Sequence, residues 1–160
     1  MLLRLCMMLS FALALSGASP VGARAAEPAS PDAQALRDGA PGVVTLSSPR
    51  YRVLKSGPPT GDHPRRKDEI VVNYEGAFTN GKIFDQAQAA HFKLGQLIAG
   101  WVAVVPLMRP GDQWEVYLPA YLAYGEKGHP PDPKDPTDTG IPPNADLIFR
   151  IELLSIDPAP

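Results

Sequence analysis

Beyond position 6 the 160-residue chain contains no cysteine. Disulfides, thiolate catalysis and cysteine-ligated metal are therefore excluded from everything after the N-terminal segment, while an oxidising destination is permitted. A basic surplus is also missing: 15 Lys and Arg face 17 Asp and Glu, for a formal charge of −2. Neither nucleic acid nor an anionic membrane surface is an expected partner of such a chain. Long apolar runs are lacking too, since "LCMMLSFALAL" falls short of the ~20 residues a spanning helix needs. With Arg4 before it and Ala23-Arg24-Ala25 after it, that run predicts a cleavable export signal over residues 1–25, cut before Ala26. Loss of Arg4 and Arg24 with the signal would take the balance to −4. The expected destination is the periplasm, with no stable membrane insertion after cleavage.

What the chain does have is proline and glycine, 19 and 14 residues, unevenly spread. Residues 26–49 are rich in Ala, Pro, Gly and Ser without a sustained period, and are expected to form a flexible leader. Ala33 to Arg37 has length for one helical turn, too little for a dimerisation domain, so a monomer is expected.

Alternation begins after the leader. In "EIVVNYEG" Ile70, Val72 and Tyr74 share a face; Trp114, Val116 and Leu118 do so in "QWEVYLP", and Leu147, Phe149, Ile151 and Leu153 in "ADLIFRIELLSI". "YRVLKSG" and "HFKL" are weaker strand candidates. Strands without long intervening helices predict an antiparallel sheet with one wet face. The apolar face needs a cover, and Trp101, Val104, Val105 and Met108 supply one at i, i+3, i+4 and i+7. Pro106 keeps that helix short. The expected class is α+β: a twisted antiparallel sheet of about five strands around one short helix, within a domain spanning residues 50–157.

Four strings stand in order: "VNYEG", "GKIFD", "LIAGW" and "AYGEKGH…IPPNADLIF". Together they resemble the FKBP-type peptidyl-prolyl isomerases, and the short span from Leu94 to Trp101 is more like the bacterial exported members. The resemblance covers roughly Tyr51 to Ile156 and implies an aromatic cup that binds proline. It implies Trp101 as the platform, and Tyr74, Phe84, Leu97 and Phe149 as walls. Ile98 would offer its backbone N–H and Tyr124 its hydroxyl to carbonyls flanking the proline. Asp85 would orient Tyr74 and polarise the cup, or contact the twisted carbonyl, and His129 and Ile141 would border the substrate. The implied activity is isomerisation of X-Pro bonds in proline-containing unfolded or folding polypeptides, without cofactor or metal. Macrolide inhibitors are a further ligand class of the family.

Taken singly, the large aromatics are ordinary core residues, and Asp85 is an ordinary turn residue after a strand. His63, His91 and His129 lie far apart in sequence, and Asp132, Asp135 and Asp138 recur every third residue without the spacing, central glycine or closing Glu of a calcium loop. The sequence departs from the family pattern at Ala90, where many members carry a large apolar wall, which weighs against macrolide affinity. Val102, Ala103 and Pro106 are unusual after the tryptophan. Eleven residues separate His129 from Ile141, an enlarged Pro/Asp-rich loop at 129–141 expected to overhang the cup and favour basic clients. A non-catalytic chaperone or assembly factor gripping proline segments in the same cup is the alternative function. A metal-responsive loop protein is the third.

Overall fold

A computed structural model describes residues 43–45, 49–134 and 138–159. The signal segment, most of the 26–49 leader, and Asp135 and Pro136 of the loop lie outside the described residues. Six strands form one antiparallel sheet: β1 (Val43–Thr45), β2 (Arg50–Lys55), β3 (Glu69–Phe78), β4 (Ile83–Lys93), β5 (Gln113–Leu118) and β6 (Leu147–Asp157). Their spatial order is β1-β2-β5-β6-β3-β4. Helix α1 (Ala99–Val104) crosses the inner face. β3, β5 and β6 fall where alternation predicts them, β2 falls on the weaker candidate "YRVLKSG", β4 begins at Ile83, well before the candidate "HFKL", and the short β1 adds a sixth by pairing Val43–Thr45 of the leader with Arg50–Arg52.

The inner face is built by the residues whose period predicted it. Ile70, Val72, Leu118, Leu147, Ile151 and Leu153 are fully buried, and Trp101, Val104, Val105 and Met108 of the helical segment close over them. Pro106 lies in the first turn of a 3-10 segment, Val105–Leu107, that follows α1. Its missing N–H ends the α-helix there and costs no bond that a longer helix would have used.

Two features of β4 escape a simple period. Between Val72 and Tyr74 the pairing with β4 shifts, so that Val72 faces Ala90 while Tyr74 faces Ala87. The extra residue places Ala89 at φ 49, and its N–H is held by Asn73 Oδ1 at 2.9 Å. A bulge of this kind rephases a strand, so Asp85 and Ala87 before it and Ala90 and Phe92 after it face inward. A second shift between Gly76 and Ala77 leaves Phe84 as an extra residue. Phe84 and Asp85, adjacent in sequence, can thereby both serve the inner face, which an unbroken strand would forbid.

The outer face is not wet throughout. Glu115 on β5 is buried there, paired across strands with Arg52 of β2 and Arg150 of β6. The arginine stems cover the strand's middle while their charged ends reach water.

Candidate functional site

Trp101 enters the inner face from α1 and its indole is 2% exposed. Three rings stand on it nearly at right angles: Phe149 at 5.4 Å and 86°, Tyr74 at 5.7 Å and 84°, and Phe92 at 6.1 Å and 81°. Such edge-to-face pairs are the favoured aromatic geometry, and here they raise walls from β3, β4 and β6 around one floor. Phe84 continues the wall, 5.8 Å from Phe149 at 89°, with Phe78 behind it at 5.1 Å. A glycine is needed beneath them: a Cβ on Gly76 would lie 2.7 Å from the Phe84 ring and 2.9 Å from that of Phe149.

Leu97 and Ile98 precede α1, and both are buried. Ile98 is the residue before the first helical turn; its carbonyl accepts from the N–H groups of Trp101 and Val102. Tyr124 and Ile141 join the same apolar cluster from the far side. His129 is exposed, its ring 5.5 Å from that of Tyr124, and its backbone pairs with Ile141 through bonds of 2.8 and 2.7 Å. All ten residues singled out from the sequence thus belong to one neighbourhood, with His129 at its outer margin as a prop for Tyr124. His63, in contrast, bonds the Met108 carbonyl, and His91 is exposed on β4.

Asp85 is the polar member. It is 6% exposed, and Tyr74 donates its hydroxyl to Asp85 Oδ2 at 2.6 Å. Burial pushes the Asp85 carboxyl above the usual carboxylate range; the Tyr74 bond opposes the rise and the negative charge of Asp138 adds to it. Burial also drives both tyrosine hydroxyls upward, that of Tyr74 reinforced by its bond to Asp85 and that of Tyr124 by the charges of Asp85 and Asp138. Both hydroxyls therefore remain protonated donors at any physiological pH. The hydroxyl of Tyr74 is committed to Asp85. The buried Tyr124 hydroxyl, Trp101 Nε1 and Asp85 Oδ1 have no protein partner among the described residues. The cup is thus an apolar box in which a few uncommitted polar side-chain atoms are able to address a ligand's carbonyls or charges.

Sequence reasoning missed two of its parts. Phe92 supplies the wall that Ala90 is too small to make, and both face inward because the bulge before them rephases the strand. The signal was present in "HFKL", whose apolar residue follows Ala90 at strand spacing. Gly76 was legible only as part of a string, because its role depends on rings from two other strands. A separate cleft of about 210 Å³ is lined by Glu75, Phe78, Glu115, Ile148 and Arg150 among others, and meets the cup only through Phe78, which backs the Phe84 wall.

Comparisons with known proteins agree with this geometry. Residues 61–154 match the family model described as FKBP-type peptidyl-prolyl cis-trans isomerase. The chain is 42% identical over 121 residues to the peptidyl-prolyl cis-trans isomerase Mip of Coxiella burnetii, covering 72% of this chain and 48% of that protein. It is 37% identical over 126 residues to the outer membrane protein MIP of Legionella longbeachae, covering 74% and 49%. The chain spans about half the length of these curated relatives. Among solved structures, a peptidyl-prolyl cis-trans isomerase from Pseudomonas syringae pv. tomato superimposes with a TM-score of 0.66 at 30% identity, covering 79% of this chain and 92% of that one.

Proposed function

Because the chain belongs to the FKBP-type peptidyl-prolyl cis-trans isomerase family, we propose that it catalyses cis-trans isomerisation of X-Pro bonds in exported polypeptides as they fold. The observation that carries this reading is the indole floor with three aromatic walls near 90° to it, an apolar surround suited to a pyrrolidine ring.

The chemistry needs no nucleophile. A peptide bond resists rotation by ~18–20 kcal/mol because resonance stiffens C–N, and an X-Pro bond left alone isomerises in tens to hundreds of seconds. A twisted amide has lost that resonance and is less polar than the planar ground state, so a dry apolar cup favours it over the hydrated planar form. Each ~1.4 kcal/mol of preference is worth tenfold in rate. The proline ring lies on Trp101 between Tyr74, Phe92 and Phe149. Ile98 N–H and the Tyr124 hydroxyl donate to the carbonyls on either side, and Leu97, Ile141 and His129 border the chain as it leaves. Asp85 holds the Tyr74 ring in place through its hydroxyl and sets a negative potential at the carbon end of the amide. Its role is positioning rather than proton transfer.

Export to the periplasm is part of the proposal. It is supported by the signal-like residues 1–25 and by the printed name of the Legionella relative. The working form is a monomer that takes proline-containing unfolded or folding polypeptides. Macrolide inhibitors are a further ligand class, and Phe92, by closing the side that Ala90 leaves small, supports their binding.

The test is isomerisation of a short X-Pro peptide followed by NMR exchange with residues 26–160. Acceleration at micromolar protein is expected. Binding of the peptide without acceleration would instead identify a proline-gripping chaperone that uses the same cup.

A further inference from the structure

The loop between Tyr124 and β6 is tied to the cup at its base. Ile141, buried among the core residues, pairs with His129, and Gly140 turns the chain at φ 65, where a Cβ would lie 2.7 Å from the His129 carbonyl. The residue two positions before that turn is Asp138. Its carboxylate accepts from Gly140 N–H at 2.7 Å and from Asp132 N–H at 2.8 Å, one bond on each oxygen. A surface aspartate normally swings freely; this one is fixed in place by its own loop. Asp132, by contrast, is exposed and uses its carboxylate to accept from Lys134 N–H.

Asp138 is near the cup in space as well as in sequence: Gly140, which its carboxylate holds, leads into Ile141, and Ile141 pairs with His129, whose ring lies 5.5 Å from that of Tyr124. Its negative charge acts on both Asp85 and Tyr124, which come from opposite sides of the box. Among the described residues no salt bridge reaches Asp85 or Asp138, whereas those of Arg52 and Arg150 with Glu115 lie on the other face of the sheet. The cup therefore presents a buried carboxylate with one unpartnered oxygen, Asp85, and a second carboxylate, Asp138, fixed in the loop that joins the cup's margin through Ile141 and His129. Like charges held together in a partly dry site are relieved by a cation and worsened by an anion.

We propose that Asp138 is a specificity-determining residue of this cup, selecting polypeptides with Lys or Arg next to the target proline and discriminating against Asp or Glu there. The inference rests on the isomerase reading of the cup. It adds to that reading a substrate class that the aromatic walls alone do not define, because an apolar box binds the proline ring whatever its neighbours. Discrimination of this kind comes as much from rejecting the acidic chain as from attracting the basic one.

The experiment compares three proline peptides that differ only in the residue before proline: Lys, Leu or Glu. kcat/KM is measured by NMR exchange at low and high salt for the parent protein, Asp138→Asn, Asp138→Ser and Asp132→Asn. The expected Lys-to-Glu ratio is about tenfold in the parent at low salt, shrinking at high salt as exposed charges are screened. Both Asp138 variants should bring the ratio close to one, and Asp132→Asn should leave most of it. Using the ratio cancels any general loss from a rearranged loop. A ratio unchanged by either Asp138 variant, or one abolished equally by Asp132→Asn, would overturn the assignment. If no peptide is accelerated, the isomerase reading falls on its own. Titration of Trp101 fluorescence with the same peptides then reads the charge preference separately: tighter Lys-peptide binding that depends on Asp138 supports the proposal, and equal binding of all three refutes it.

Discussion

Two carboxylates are buried on opposite faces of the same sheet, and their surroundings differ in kind. Glu115 sits at the centre of the outer face with one oxygen on Arg52 and the other on Arg150, the latter at 3.1 Å. Asp85 sits on the inner face with neutral partners alone, the Tyr74 hydroxyl and the Gln86 backbone N–H, and Oδ1 unspent. A fold that needed only to bury a carboxylate has shown, at Glu115, how it satisfies one. The incomplete satisfaction of Asp85, together with the unspent Tyr124 hydroxyl and Trp101 Nε1, therefore marks the inner face as the side kept ready for a ligand.

The sharpest way to break the contrast is Trp101→Ala. The indole is both core and floor, so this change should cost ~3–5 kcal/mol in denaturant unfolding and abolish catalysis. A stable, active variant would show that the floor is not where proline binds. Glu115→Gln comes next. It leaves two arginines facing a neutral amide, and because both are part-exposed and can turn to water, a loss of ~1–2 kcal/mol is expected rather than the larger cost of a sealed pair. Catalysis per folded molecule should be kept; a selective loss of activity would join the two faces functionally.

Asp85→Asn should act in the opposite sense on stability. The folded state raises the Asp85 pKa above its ordinary 3.8, so it binds the proton more tightly than the unfolded chain does. Below that value both states are protonated and the parent carries no penalty; as pH rises through the folded pKa, the buried charge subtracts from stability. Asp85→Asn should thus be at least as stable as the parent at pH 7, with the difference closing as the pH falls below 3.8, while kcat/KM drops at neutral pH. Thermal unfolding across pH 3–7 checks the sign, and a variant that is least stable at neutral pH would place Asp85 with Glu115 as a structural carboxylate. Smallest of all is the stability change for Tyr124→Phe, within about 0.5 kcal/mol because the hydroxyl has no protein partner to lose. Its kcat should still fall several-fold.

Much of this contrast was legible in the sequence, and what was not has a physical reason. The inner rows of β3, β5 and β6 and the helical face from Trp101 to Met108 follow from local period, since each strand alternates within itself. The ten candidate site residues followed from ordered strings. Phe92 did not, because its direction is set by a bulge that needs Asn73 on a neighbouring strand to hold Ala89. Nor did the burial of Glu115: a charged residue in the wet phase of "QWEVYLP" looks exposed until two other strands bring Arg52 and Arg150 beside it. The strand β1 lay hidden in the leader because three residues show no period. Non-local pairing, in each case, decides what local pattern leaves open.

The position of β4 has a mechanical consequence. It is the outermost strand at its end of the sheet, bonded to β3 and to no strand beyond, yet it carries Phe84, Asp85 and Phe92. Half the cup's wall is thus cantilevered. A polypeptide too broad for the opening has to deflect one strand, held by a single row of backbone bonds and already interrupted at two bulges, and need not disturb β6 or α1 behind it. The same side chains mounted on a central strand would make a rigid socket suited to loose ends; mounted on the margin, they form a lip that would yield, on the proposed function, to a proline in the middle of a chain.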